Sequence, residues 1–402
     1  MRTVTTPFAA GQYSESGAEW VDEIHERMLA ALEHHGIQRL GAGEQWTTIR
    51  RWLYRHGQLS SPDQLRVAKP ALFEQLDEFD RIVEAATAGI TDPSRPHLHA
   101  DAAALDAQSL ADVAQQAQLG EVAALFRRRD SQGEFAEEPH RVSLLFVAQQ
   151  RAYHDAHSAG LDVVRSHRVA GGFSRLADAM AAELRDVLSF GEHLVGVEQH
   201  ADTVIAHTDR RSIAAEQLVL ACSVVPLRQV QFHTPLPSAL HDAIHQLGYG
   251  TVTKTSVQWP QRTWPAGYAT TEGRAQRVYE PTVDQPGEPG ILMSYCGGDG
   301  GRQWAAMPEA DRLALAADEM RTMHHLEGAP LGGYSRAWSN EARYGGSYAV
   351  YQPGQVTAHW QVLREPWGRV HLAGEHVADC TGYMEGALES GETVAARIVA
   401  AG

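Results

Sequence analysis

The sequence predicts an α/β chain of two domains built from interleaved segments. Three observations carry that expectation. With 402 residues, 43% of them apolar, the chain is long for one core and long enough for two. From about Leu65 to Leu161 it is rich in Ala, Leu, Glu, Gln, Asp and Arg and poor in Gly, the composition of amphipathic surface helices forming a lobe of their own. Stretches rich in β-formers flank that lobe, and the chain closes on a strand, a loop and a helix.

The opening, from Thr3 to about Trp20, mixes β-branched residues with Gly11 and Gly17 and reads as strand and turn. Val21, Ile24, Met28, Leu29 and Leu32 then recur at helical spacing, predicting a helix from Val21 to His35. After the helical lobe, Gly171-Gly172 punctuate the chain before a helix from about Ser174 to Leu188. Alternating patterns at Leu194 to Glu198, Thr203 to His207 and Gln217 to Cys222 predict a three-stranded excursion from a larger sheet. A β-rich block from Gly250 to Tyr295 precedes a helix from about Pro308 to His325. The end reads as a strand from Val370 to Ala373 and a helix from about Met384 to Ala401. The cluster Gly297-Gly298-Asp299-Gly300-Gly301 is read as lacking a flanking strand and helix.

Composition narrows the function classes. A formal net charge of -16, from 50 acidic against 34 basic residues, disfavours nucleic acid and anionic lipid as partners. Cys222, Cys296 and Cys380 are odd in number and show no CxxC spacing, so neither a disulfide framework nor a metal site is expected, and a reducing cytoplasm fits. No stretch approaches the roughly 18 apolar residues of a membrane span, so no membrane association is expected.

The most informative stretch runs Gly368-Arg-Val-His-Leu-Ala-Gly-Glu-His376, then Thr381-Gly-Tyr-Met-Glu-Gly-Ala-Leu-Glu-Ser-Gly391. A strand ending in Ala373-Gly374 admits a ligand close to the backbone, and a helix starting just after Tyr383 aims its N–H groups and positive dipole end at an anionic group. The bland reading of Gly386, Ala387 and Gly391 is tight packing on a neighbouring sheet. Taken together, this stretch resembles the C-terminal signature of the flavin-containing amine oxidases of the monoamine oxidase and L-amino acid oxidase type. By that resemblance Gly374, Glu375, Tyr383 and Met384 face FAD. Further segments resemble the same family in order along the chain. Glu15-Ser-Gly17-Ala18-Glu19-Trp20 is similar to its glycine pair near the flavin, and Gly171-Gly172-Phe173 and the strand at Leu194 are similar to segments returning to the cofactor.

Lys254 lies in Gly250-Thr-Val-Thr-Lys-Thr-Ser-Val-Gln-Trp-Pro-Gln-Arg-Thr-Trp264, on a strand. A lone strand lysine is normally a solvated edge residue. The resemblance implies instead a lysine that holds a water against the flavin and stabilises charge developing on dioxygen, with a family tryptophan where Trp264 stands. The run from Trp338 to Gly354 is similar to the segment beside the flavin ring; in that register Tyr348 and Tyr383 are the aromatic walls that align an amine, and Trp338 packs by the ring. Ser347 falls where membrane-bound relatives attach FAD through cysteine, so the FAD is expected to be non-covalent.

The family begins with a strand, a GxGxxG turn, a helix and a GGR-type turn on the phosphates, and none of these is found in the sequence from Met1 onward. The expected fold is therefore the two-domain amine oxidase fold with an incomplete Rossmann-like FAD domain. Its segments are 1–30, 165–230 and 360–402, and a substrate domain takes 31–164 and 231–359. Three explanations stand: a start codon set too far downstream, a second chain that supplies the βαβ unit, or gene decay. The implied reaction is oxidation of a C–N bond to an imine, then a carbonyl plus ammonia or an amine, with dioxygen reduced to hydrogen peroxide. The alternatives are an L-amino acid oxidase or a non-catalytic half-enzyme, and a homodimer is also compatible. A carboxylate-bearing substrate would need a cation, for which Arg50, Arg51, Arg336 and Arg343 are candidates; the reading leans to an amine.

Overall fold

In a computed structural model that describes residues 1–45 and 48–401, the segment that positions everything else is a seven-stranded sheet. Its strands run in the order Gly332–Ala337, Val252–Trp259, Gly290–Gly297, Arg277–Tyr279, Tyr268–Thr271, Arg51–Arg55 and Gln58–Ser60. Trp46, Thr47 and Gly402 lie outside the described residues.

The Val252–Trp259 strand is buried at every position, and its period of two explains how. Thr253, Thr255, Val257 and Trp259 face one side: Thr253 bonds the Gly301 carbonyl, Thr255 bonds Ser335, and Val257 and Trp259 pack in a core with Ala316, Met320 and Met323 of the Glu309–His324 helix. Lys254, Ser256 and Gln258 face the other side, where the first residues of the chain run across them. Ala9 donates to the Gln258 side chain at 2.7 Å, Ser14 and Ser256 share a bond at 2.8 Å, and Lys254 reaches Gly17. An N-terminal segment with little regular structure is thus ordered by the polar face of a buried strand.

The stretch expected to be helical holds helices from Pro62–Ala68 through Leu144–Ser158, with Glu121–Glu134 between them. Several elements differ from the sequence reading. The helix expected from Val21 begins at Glu26 instead, because Val21–Asp22 pairs as a strand with His167 and Ser166. The helix after Gly171-Gly172 ends at Glu183, short of Leu188. The third strand of the excursion is Ser212–Ala215; Leu218–Leu220 leaves that sheet to pair in parallel with Val370–Leu372, and the excursion's own fourth strand is Gln231–Phe232.

The glycine cluster is the clearest correction. The Gly290–Gly297 strand leads directly into a helix, Gly298–Ala305, so the flanking elements are present. The helix start nonetheless receives a carboxylate of this chain, since the Asp299 N–H donates to Glu138 at 3.0 Å. The glycines serve close packing: a Cβ on Gly297 would lie 1.9 Å from the Gln132 carbonyl, and one on Gly300 1.9 Å from the Gln276 amide.

The largest core joins Phe79, Leu144 and Phe146 of the helical lobe to Val197, Leu220, Val350, Trp360 and Val370. It therefore bridges segments from both sets of the expected domain division.

Candidate functional site

Two polar clusters meet where the large sheet faces the N-terminal segment and the final helix. At the first, Lys254 is 6% exposed and its three ammonium hydrogens have three acceptors: the carbonyls of Gly17 at 2.8 Å and Glu15 at 3.3 Å, and the Glu19 carboxylate at 3.3 Å. A water on this ammonium, expected from the sequence, would have to share or displace one of them. Glu19, 3% exposed, also takes Arg168 at 2.8 Å and the Tyr279 hydroxyl at 2.6 Å. Burial acts to raise the Glu19 carboxyl, but Lys254 and Arg168 together outweigh it and hold the carboxyl below its usual range. Trp338 closes the cluster, its indole donating to the Ser16 carbonyl at 2.6 Å. Gly17 lies against that ring: a Cβ there would come within 3.5 Å of Trp338 and 3.3 Å of the Arg2 nitrogen. Between the buried Ser16 and Glu19, Gly17 and Ala18 keep accessible surface.

The second cluster holds the tyrosines. Glu375 accepts from the Ala349 N–H at 3.1 Å, the Gly382 N–H at 2.9 Å and the Tyr249 hydroxyl at 2.8 Å. It thereby ties the residue after Tyr348 to the residue before Tyr383 and sets the spacing of the two loops. Burial pushes its carboxyl up to about 7, against the pull of those donors. The Tyr348 ring lies beside Gly382, 3.5 Å from where a Cβ would stand. Its hydroxyl donates to the Gly133 carbonyl at 3.3 Å and shares a bond of 3.0 Å with Tyr295. The Tyr383 hydroxyl donates to the Glu134 carboxylate, and its ring tilts against His25 at 5.3 Å.

Tyr295 joins the clusters. It pairs with Lys254 across the sheet, its ring lies 5.5 Å from the ammonium, and its hydroxyl meets Tyr348. Desolvation is the largest influence on Tyr295, Tyr348, Tyr383, Glu134 and Glu375, raising each. Yet all five keep accessible surface. These side chains are crowded by protein yet reachable by solvent, as the lining of a cleft would be.

The other expected residues distribute around this core. Gly374, at φ +139°, donates its N–H to Ser390 on the final helix, and Met384 opens that helix against the core that includes Val21 and Met28. Glu385, next to Met384, caps the Glu26–His34 helix by accepting from the Arg27 and Met28 N–H groups. The Ser347 hydroxyl is buried with no hydrogen-bond partner among the described residues. Leu194 starts a strand of the separate four-stranded sheet and packs against the core that includes Ala349 and Val350, while the neighbouring His193 meets Arg343 at 3.2 Å.

Trp264 is not brought to Lys254. It packs against Gly290, which pairs with Trp259 at the far end of the strand, five residues or ~17 Å from Lys254. Arg51 lies four strand spacings from the Val252–Trp259 strand, ~19 Å away; it is bound to Asp130 at 2.7 Å and, with the exposed Arg50, lines an outer groove of about 350 Å³. Arg336 pairs with Glu341 at 3.2 Å. One trio of potential metal ligands, His34, His35 and Glu183, stands among the described residues at the ends of two surface helices. Sequence reasoning passed over Glu19, Arg168, Tyr279, Tyr295 and Glu134. Glu19 alone carried a usable signal, sitting two residues from Gly17 in the segment already singled out.

The family model described as flavin containing amine oxidoreductase matches residues 1–399. The L-amino acid dehydrogenase of Synechocystis is 23% identical over 405 residues, covering 97% of this chain and 85% of the relative. The flavin-dependent L-tryptophan oxidase RebO of Lentzea aerocolonigenes is 28% identical over 253 residues, covering 58% of this chain and 53% of the relative, about half its length. Among solved structures, cyclohexylamine oxidase from Brevibacterium oxydans matches with a TM-score of 0.83 at 20% identity, over 99% of this chain and 90% of that one. Wild-type putrescine oxidase bound to putrescine matches with a TM-score of 0.85 at 18% identity, over the same shares. At these identities the structural likeness is one of fold.

Proposed function

The chain belongs to the family of flavin containing amine oxidoreductases, with a flavin as its cofactor, and from that premise we propose that it oxidises the C–N bond of an amine at the cleft between Lys254 and the two tyrosines. The observation that carries this reading is the bracing of Tyr348 and Tyr383: one carboxylate, Glu375, bonds the backbone beside each. Two accessible rings held at fixed spacing suit an amine that must be aligned with its carbon toward a planar group.

The residues fit a flavin on two counts. Gly17 and Ala18 present an accessible strip of backbone beside Trp338, and the buried Ser347 hydroxyl is left for a partner outside the chain. We read Gly17, Ala18, Gly374, Glu375, Tyr383, Met384 and, for the adenine end, Leu194 as the FAD-facing set, with no covalent link because serine stands at 347. When bound, the flavin takes a hydride from the carbon bearing the nitrogen and passes the electrons to dioxygen, so that an imine and hydrogen peroxide result.

Each side chain then has a task. Tyr348 and Tyr383 orient the amine, and Trp338 fixes the Ser16 to Gly17 backbone. Lys254 places a positive charge at the inner end of the cleft, where negative charge on reduced oxygen is stabilised. Supplied with FAD and an amine in air, the protein is expected to release a carbonyl compound and hydrogen peroxide in equal amounts. Failure of a panel of primary and secondary amines and L-amino acids to yield peroxide, with FAD bound, would remove this reading.

A further inference from the structure

Two consecutive residues at the end of the Glu121–Glu134 helix hold the two tyrosine hydroxyls. The Gly133 carbonyl accepts from Tyr348 and the Glu134 carboxylate accepts from Tyr383. A helix C-terminus carries partial negative charge, and this one has a full carboxylate beside it. Glu134 is exposed into the cleft, and the Tyr383 hydroxyl supplies the one hydrogen bond to its carboxylate among the described residues.

The charges facing Glu134 come from three other places. Asp22 lies on the Val21–Asp22 strand, Asp130 one turn back on its own helix, and Arg277 on the Arg277–Tyr279 strand. Arg277 gives one nitrogen to Asp130 at 3.3 Å and the Arg129 carbonyl at 3.2 Å, its guanidinium lies 5.0 Å from the Tyr268 ring centre, and its Nε is buried without a partner among the described residues. Asp130 is bound in turn by Arg51 and Arg127. Asp22 accepts from the Ser166 hydroxyl and lies 3.7 Å from the His25 ring nitrogen, which leaves Glu134 as the carboxylate facing a ligand between the tyrosines.

On the reading that Tyr348 and Tyr383 flank the reacting nitrogen, we propose that Glu134 is a specificity-determining residue, favouring amines that arrive as cations and turning away α-amino acids. An ammonium gains from the carboxylate and the helix end. A substrate with a carboxylate on the same carbon sets two like charges a few ångströms apart, which is unfavourable. The proposal rests on the preceding functional reading and narrows its substrate class.

The test compares 2-phenylethylamine with L-phenylalanine, which share one skeleton and differ by a carboxylate. With the FAD-loaded protein, kcat/KM should favour the amine, and Glu134→Gln should narrow that preference by about tenfold or more, while Glu134→Asp preserves it. A second readout needs no turnover: phenyltrimethylammonium, which carries the charge but offers no N–H, should bind the wild type and Glu134→Asp more tightly than Glu134→Gln by calorimetry.

A wild type that prefers L-phenylalanine overturns the proposal even if Glu134→Gln does not fold. An unchanged preference in a folded Glu134→Gln overturns it too, and so does a preference moved by Arg277→Gln instead. If neither substrate is oxidised, the functional reading fails, and the phenyltrimethylammonium titration still decides whether Glu134 makes a cation seat: equal binding by the wild type and Glu134→Gln overturns it.

Discussion

The two ends of the cleft are built on opposite plans. Around Lys254, charges are bridged and buried: one carboxylate, Glu19, is shared by Lys254 and Arg168, and every ammonium hydrogen is used. Around the tyrosines, the carboxyls of Glu134 and Glu375 are pushed up by burial, have no matched cation at hydrogen-bond distance among the described residues, and keep accessible surface. The first arrangement holds the N-terminal segment to the sheet. The second leaves uncompensated polarity facing a ligand, which is what a binding surface requires and a stable core avoids.

If the first cluster is the structural one, removing its centre should cost most. Glu19→Gln leaves Lys254 and Arg168 buried without their shared anion, a loss of about 3–5 kcal/mol by the usual cost of breaking a buried pair. Urea unfolding of the variant should show that drop with an unchanged dependence on denaturant. A drop below about 1 kcal/mol would mean that the cluster is wetter and weaker than its geometry indicates, and the contrast with the tyrosine end would fade.

Lys254 belongs to both plans, so its substitution separates them. Lys254→Met keeps much of the volume and removes the charge, leaving Glu19 with Arg168. With FAD bound, oxygen consumption by the reduced protein should slow on the order of 10²-fold, while anaerobic reduction by an amine, which depends on Tyr348 and Tyr383, changes far less. Stopped-flow measurement of the two half-reactions distinguishes the outcomes. Loss of substrate reduction with normal oxygen consumption would reassign Lys254 to the tyrosine end; a change in stability alone would make it a strut for Gly17 and Glu19.

Much of this was legible in the sequence, for reasons that differ by segment. The strand and helix from Val370 to Ala401 stand out because period, glycine spacing and helix start agree locally. Lys254 was legible through its strand, since period two places Val252, Lys254 and Ser256 on one face. Glu134 was not, because its partner Tyr383 lies 249 residues away and its helix reads like any surface helix. The helix at Gly298–Ala305 was missed because glycine is a poor helix former; packing against Gln132, Gln276 and Thr251 imposes it. The Val21–Asp22 strand was hidden by apolar residues that fit helical spacing as well, and only pairing with Ser166–Val169 decides it.

The smallest expected effect tests the tyrosine end by pH. The folded pKa of Glu375, about 7, lies above its ordinary 4.5, so the folded state holds that proton more tightly than the unfolded chain. Its contribution to stability is complete below about 4.5 and is lost as pH rises through about 7. Glu15 and Asp379, raised by burial to about 6, act in the same direction. Half-buried His324 and buried His376, lowered to about 4 by desolvation, act in the opposite one, gaining stability over the same interval. The sign of the wild-type curve is therefore a sum of opposing groups, and the diagnostic quantity is a difference. Glu375→Gln cannot titrate but retains an oxygen for the Ala349 and Gly382 N–H groups, so its stability relative to wild type should rise between pH 4.5 and 7 and level off above. Thermal melting of both proteins across that range, without flavin, measures it. A flat difference would show that Glu375 is solvated in the folded chain, and the brace between Tyr348 and Tyr383 would then be an exposed contact with no more hold on the cleft than a surface hydrogen bond.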